Sequence, residues 1–336
     1  FFFSSRRRHT RSSTVSWAGD VYKRQEFEDR DYVKTVLWGL EASVLWLSVL
    51  GFLQFISGFG LHVGFDDPSR GRILTVYNTP NAVGLYLAPL IAFIYGFSRF
   101  SSGLVKRICW GLVCLGLGAV ILSVSRGAWL GLGFAWVVAQ ISIRGKKAWQ
   151  TLGLGLLLAV LGGILFLPRF SGFFSRSANP ADWVADNSAN VRVLIYRRTL
   201  QLLANRPITG AGLAGFQYYY SQYEVPGHEE IPLYPHNILL NFWVETGLLG
   251  LIVFVLLLFR WFYLCRIAYT KSGWQQSVGW GAGLFALVVL GHGLVDVPYF
   301  KNDLSFVFWV VFALLTCASA REQSNETSLF TKEAFF

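Results

Sequence analysis

NILLNFWVETGLLGLIVFVLLLF, residues 237–259, decides the fold. Its one charged residue is Glu245. As a helix rising 1.5 Å per residue it is about 34 Å long, enough to cross a hydrocarbon core of roughly 30 Å. Similar apolar runs recur at 36–58, 82–97, 104–123, 127–143, 149–167, 277–295 and 304–320. The chain therefore reads as an all-α polytopic membrane protein with eight transmembrane helices. Composition agrees, with 54% hydrophobic and 14% charged residues, against roughly 25% charged in soluble domains.

The connections orient these spans. Arg99, Lys106 and Arg107, then Arg144, Lys146 and Lys147, then Arg260, Arg266 and Lys271 form three basic, acid-free connections. The positive-inside rule puts them in the cytoplasm. Eight spans bring all three to one side, with both termini inside. Segments 59–81, 168–236 and 296–303 and the turn at Ser125 and Arg126 then lie outside. This topology accounts for the formal charge of +10. The positives sit in short clusters between apolar runs rather than along one helix face, which does not fit a nucleic-acid surface. Cys109, Cys114, Cys265 and Cys317 lie in or beside apolar segments with no CxxC pair, so neither a disulfide framework nor a zinc site is expected.

Residues 1–25, FFFSSRRRHTRSSTVSWAGDVYKRQ, are Arg/Ser-rich and hold no spanning run. They resemble translated adapter sequence rather than a signal peptide, which carries a continuous apolar stretch. They contribute six Lys/Arg and one Asp, leaving a net +5 on the rest of the chain, and further native helices are expected upstream. The expected layout is a non-native leader over 1–25, five spans within 33–167, an extracytoplasmic loop with a membrane-surface helix over 168–236, three spans within 237–320, and a cytoplasmic tail over 321–336.

The long loop is the candidate for chemistry. Its basic residues are all Arg, whose planar fork suits bidentate phosphate binding. Residues 190–205 read as a surface helix with Val191, Leu194, Ile195, Leu202 and Leu203 apolar and Arg192, Arg197 and Arg198 charged; Pro207 ends it. In Pro207-Ile208-Thr209-Gly210-Ala211-Gly212 the glycines make either a plain turn or a close backbone approach to a ligand.

Tyr234-Pro235-His236-Asn237 puts an imidazole at a helix N-terminus, where free amides and the dipole favour anions. A histidine there takes a proton from a hydroxyl, binds a phosphate oxygen, or caps the helix. Glu245 would lie about 12 Å further along, and a carboxylate in lipid needs a partner or a role. Ser125-Arg126-Gly127 sets an arginine at the outer interface, as a snorkelling anchor or an anion ligand. His292 and Asp296, four apart, share a helix face if the helix reaches that far, and either pin the turn or face a glycan. Trp183, Phe216, Tyr218, Tyr219, Tyr220 and Tyr223 suit the headgroup level or stacking on sugars. Glu41, in the first span, pairs with another helix or faces helices upstream.

Four segments in this order resemble the O-antigen ligase and polymerase family: YNTPNAVGLYL at 77–87, SRGAWLGL at 125–132, VRVLIYRRTLQLLANRPITGAG at 191–212 and PHNILLNFWVETGLLGL at 235–251. The resemblance covers residues 70–320, and Thr79 departs from the Asn or Gly expected there. It implies a GT-C-like architecture in a bacterial inner membrane, with the active site on the extracytoplasmic face. The implied reaction is a metal-independent, cofactor-free, inverting transfer of a glycan from a polyprenyl diphosphate carrier to an acceptor hydroxyl. The acceptor would be another glycan, a lipid A core or a protein; membrane lipid is the other partner and nucleic acid is none.

On that reading His236, Arg192 and Arg126 are catalytic. Arg197, Arg198, Arg206, Gly210, Gly212, Asn237 and Glu245 bind the diphosphate or support the site, Glu245 through His236 or an arginine. Asn78, Asn81, His292 and Asp296 face the acceptor or glycan. The resemblance does not separate ligase from polymerase. The alternative class is a transporter or a flippase for lipid-linked glycan. Such proteins bind near the midplane between repeated halves, whereas this sequence has no evident repeat and gathers its polar groups in the outer connections.

Overall fold

The computed structural model describes residues 30–58, 71–143, 188–222 and 232–320. These form α1 (Arg30–Ser57), α2 (Pro80–Ser98), α3 (Gly103–Ser123), α4 (Arg126–Ile143), α5 (Ser188–Asn205), α6 (Phe216–Tyr220), α7 (Ile238–Tyr269), α8 (Trp274–Gly293) and α9 (Asn302–Ser319), with no strand among the described residues. The expected span 149–167, the basic cluster Arg144, Lys146 and Lys147, and Trp183 and Tyr223 lie outside them. Every other expected span is a helix. Helices α1, α2, α3, α7 and α9 are long and apolar enough to cross a membrane, and α4 and α8 pack among them. The chain is a multi-pass, all-α membrane protein.

Helix α8 is the axis of the bundle, packed against α2, α4, α7 and α9. Lipid is as apolar as leucine, so close backbone approach and van der Waals contact hold such helices together. Small residues supply it here. A Cβ on Gly96 of α2 would lie 2.6 Å from the Gly281 Cα of α8. Gly127 and Gly131 of α4, four apart, face α8 in the same way, a Cβ on Gly131 falling 2.9 Å from the Val288 carbonyl. Below them Trp261 of α7 is fully buried and donates its indole N–H to the Ala282 carbonyl at 3.0 Å.

Helices α1 to α4 alternate in direction, and so do α7 to α9. One end of the bundle collects Arg99, Lys106, Arg107, Arg266 and Lys271; there the Phe100 and Tyr269 rings meet edge-on at 6.0 Å and Lys271 donates to the Ala320 carbonyl. The other end carries the α3–α4 turn, α5, and the N-termini of α2, α7 and α9. Within the bundle the Cys109 thiol of α3 donates to the Glu41 carboxylate of α1 at 3.7 Å, which gives Glu41 its partner.

Helix α7 departs from expectation twice. The sequence ends this span at 259, yet the helix continues to Tyr269, with the Arg260 guanidinium 5.4 Å over the Tyr263 ring and Arg266 in the last turn. Long basic side chains reach back along apolar surface, so their charges do not end a helix. The second departure is a break at Gly247, with φ 73° and ψ −178°. A continuous helix would bond the Leu248 N–H to the Val244 carbonyl; the break leaves both groups open, and the 207–214 loop fills them. Leu248 N donates to the Ile208 carbonyl at 2.9 Å, while Ala211 N and Gly212 N donate to the Val244 carbonyl at 2.8 and 3.2 Å. Trp243 adds an indole bond to the Pro207 carbonyl at 2.7 Å.

Gly210 and Gly212 therefore approach the backbone of α7, and Gly210 leaves no room for a Cβ against the Val244 carbonyl. Glu245 lies on the short arm before the break instead of deeper on an unbroken rod. Beneath the loop, Ile195, Leu202 and Leu203 of α5, Phe216 and Tyr220 of α6 and Val244 form a second small core. Phe216 and Tyr220, expected at the headgroups or against sugars, are 0% and 2% exposed in it. They cover the apolar stripe of α5, and Tyr219 packs against the edge of the same core.

Candidate active site

His236 sits at φ 50°, the left-handed region that a residue with a Cβ rarely adopts. Three groups hold it there. Asn237 caps α7, its Oδ1 accepting from Leu239 N and Leu240 N at 3.0 and 3.1 Å. The Asn237 amide donates to the Leu294 carbonyl, just past α8, at 3.1 Å. The Tyr196 hydroxyl of α5 lies 2.9 Å from both the His236 and Leu294 carbonyls. Three elements are thus fastened around one peptide.

The constraint turns the imidazole toward Asp296, with Nδ1 3.4 Å from Oδ1. The carboxylate also accepts from Val297 N at 2.9 Å. The Asp296 side chain is 9% exposed and that of His236 is 30% exposed, so the pair has a buried and an accessible member. Burial pushes the Asp296 carboxyl up, but the hydrogen bond and charge of His236, the neighbouring His292 and the Val297 amide together hold it below the usual carboxylate range. An ionised carboxylate at Nδ1 favours the tautomer with the proton there, which leaves Nε2 with its lone pair as a base.

The sequence pairs Asp296 with His292, but α8 ends at Gly293, and the Asp296 carboxylate turns to His236 instead. His292, 1% exposed, packs beneath. A Cβ on Gly127 would stand 2.5 Å from the His292 ring and one on Gly84 would stand 2.5 Å from Ser125, so the Ser125-Arg126-Gly127 turn is seated between α2 and α8. Arg126 opens α4 from this seat and is exposed. Arg192 lies one turn before Tyr196 on α5, and its charge reaches both Tyr196 and His292. Burial raises the Tyr196 hydroxyl, Arg192 opposes that rise, and Asp296 adds to it.

Sequence reasoning singled out His236, Asp296, His292, Arg192 and Arg126, and these meet at one end of the bundle. Others lie apart. Arg206 and Arg198 stand over the Tyr219 and Tyr220 rings at 4.1 and 6.0 Å, on the α6 side, and Arg197 is exposed. Glu245, expected beside His236 or an arginine, accepts from the Ala214 N–H at 2.6 Å and so fastens the docked loop. Asn81 accepts from Arg72 at 3.0 Å, and Asn78 is exposed. Tyr196 and Arg72 were missed: neither stands in a motif of its own, and the only signal for Tyr196 was its place one turn after Arg192.

Together these features define a class: a multi-pass membrane protein that gathers a His–Asp pair and several arginines at one end of its helical bundle. Residues 110–255 match the O-antigen ligase family model. Over 205 residues the chain is 25% identical to a Rickettsia conorii protein named "Putative polysaccharide ligase", covering 57% of this chain and 49% of that protein. The chain thus spans about half the length of this curated relative. Its central part is thus similar to the O-antigen ligase family. The family match takes in Arg126, Arg192, His236 and Glu245, while Asn78, Asn81, His292 and Asp296 lie beyond it.

Proposed function

We propose that the protein is a glycosyltransferase of the bacterial inner membrane. It moves a glycan from polyprenyl diphosphate to an acceptor hydroxyl on the extracytoplasmic side, as an O-antigen ligase or polymerase. The observation that carries this reading is the His236–Asp296 contact at 3.4 Å, with Arg192 in electrostatic reach and the Arg126 turn seated on His292. One accessible base beside a group of arginines suits a reaction that takes a proton from a hydroxyl and leaves charge on a phosphate.

The acceptor oxygen attacks the anomeric carbon of the lipid-linked sugar from the face opposite the diphosphate. As that bond forms, the anomeric carbon–oxygen bond to phosphate breaks and its electron pair leaves with the lipid diphosphate. The hydroxyl proton passes to His236 Nε2, and Asp296 steadies the resulting imidazolium. Arg126 and Arg192 stabilise the charge growing on the diphosphate. A single displacement of this kind inverts the anomeric centre and uses no metal.

Arg192→Lys keeps the charge and loses the bidentate fork. In membrane vesicles supplied with polyprenyl diphosphate-linked glycan, this variant is expected to transfer about 10²-fold more slowly than wild type. Wild-type transfer by Arg192→Lys would rule out the arginine as a diphosphate ligand.

A further inference from the structure

Segment 71–79 leads into α2 at the end of the bundle that carries the site. Gln54 of α1 holds one side of it: its Oε1 accepts from Leu74 N and Thr75 N at 3.2 and 2.7 Å, and its Nε2 donates to the Thr75 carbonyl at 3.1 Å. On the other side Ile73 N donates to the Leu122 carbonyl at 3.4 Å. Further along, the Tyr77 hydroxyl donates to the Asp303 carboxylate of α9 at 2.8 Å. The strip is thus tied to α1, α3 and α9.

From this strip the Arg72 guanidinium reaches the end of α3. Its Nε donates to the Ser123 carbonyl at 2.8 Å, and one Nη donates to the Val124 carbonyl at 3.2 Å and to Asn81 Oδ1, in the first turn of α2, at 3.0 Å. Any cation would favour the open carbonyls at a helix C-terminus. The planar fork does more, because it fixes three acceptors on two helices in one geometry. Val124 needs such support: it is a β-branched residue in the left-handed region, at φ 50° and ψ 36°. The two carbonyls that Arg72 holds are the last before Ser125 and Arg126.

We propose that Arg72 is a positioning residue: by holding the left-handed Val124 turn against α2, it sets where the Arg126 guanidinium stands against the lipid diphosphate. The proposal rests on the reading of Arg126 as a diphosphate ligand.

The test is a double-mutant cycle in membrane vesicles with polyprenyl diphosphate-linked glycan as donor. Wild type, Arg72→Lys, Arg126→Lys and the double variant are compared at equal amounts of protein in the vesicles, each monodisperse when extracted into detergent. Arg72→Lys is expected to lower donor kcat/KM about tenfold, as a misplaced catalytic group does, and to leave the acceptor KM unchanged. In the Arg126→Lys background the same change is expected to cost less than about twofold, because coupled residues do not add. Asn81→Ala, which removes one acceptor of the fork and keeps Arg72, is expected to lower the same parameter and to show the same coupling; it decides the matter if Arg72→Lys yields no folded protein. Wild-type kinetics in Arg126→Lys would overturn the reading of Arg126. An impaired Arg126→Lys with wild-type kinetics in Arg72→Lys, or effects that multiply, would overturn the role of Arg72 alone.

Discussion

Gly127→Val is expected to abolish detectable transfer while leaving the protein in the membrane. The Cβ alone would stand 2.5 Å from the His292 ring and 3.2 Å from the Val295 side chain, and His292, 1% exposed, has nowhere to move. The first turn of α4 must therefore lift off α8, and Arg126, the residue before, moves with it. Overpacking of this kind costs about 1–3 kcal/mol of stability, which a bundle survives. A displacement of about 1 Å at a catalytic group costs roughly 10²-fold in rate, and the γ-methyls of valine push further. Transfer assays in vesicles, read beside the thermal midpoint in detergent, separate the two effects. A normal rate in Gly127→Val would mean that the Ser125-Arg126-Gly127 turn plays no part in catalysis.

Asp296→Asn keeps the shape of the side chain and removes its charge. His236 then loses both the group that holds the proton on Nδ1 and the charge that steadies its imidazolium, so transfer is expected to fall on the order of 10²-fold to 10⁴-fold. The pH dependence of stability changes as well. The folded Asp296 carboxyl is held below its ordinary range, so its contribution is complete above the unfolded value of about 4 and is lost as pH falls through the lower folded value. Between pH 5 and 8 the wild-type rate thus owes nothing to titration of Asp296. In Asp296→Asn the acid loss of thermal stability that belongs to this residue is expected to vanish. Equal rates for Asp296→Asn and wild type would leave His236 without its proposed support.

Much of the fold was legible because lipid imposes a simple rule on sequence. A span must be long, apolar and helical, and α1, α2, α3, α4, α8 and α9 end within a few residues of the charges or turn residues that mark them. The start of α7 was legible for the same local reasons, although the residue that caps it is Asn237 rather than His236. What escaped was long-range. The break at Gly247 is stable because a loop some 40 residues earlier supplies the bonds that the helix gives up, and no window around residue 247 contains that loop. Arg260 and Arg266 looked like a loop because charge was read as an end to the span, although their side chains extend along the helix.

The site divides along the same line. Its residues were visible one by one, since a histidine at a cap, an arginine at a turn and an arginine on a surface helix are local oddities. Their pairing was not. His236 and Asp296 are 60 positions apart, and spacing alone favoured His292 as the partner of Asp296. Phe216 and Tyr220 were misread because an aromatic beside a membrane suits an interface and a core equally well until its neighbours are known. Arg72 was passed over because it stands in a connection without a motif, and its importance lies wholly in which carbonyls it reaches.

The most direct test compares cells carrying wild type or His236→Ala at matched membrane abundance, measuring surface glycan and the pool of polyprenyl diphosphate-linked precursor together. If His236 is the base of a glycan transfer, the variant accumulates the precursor and loses the surface product. Unchanged levels of both would contradict the account and put a transport function ahead of it.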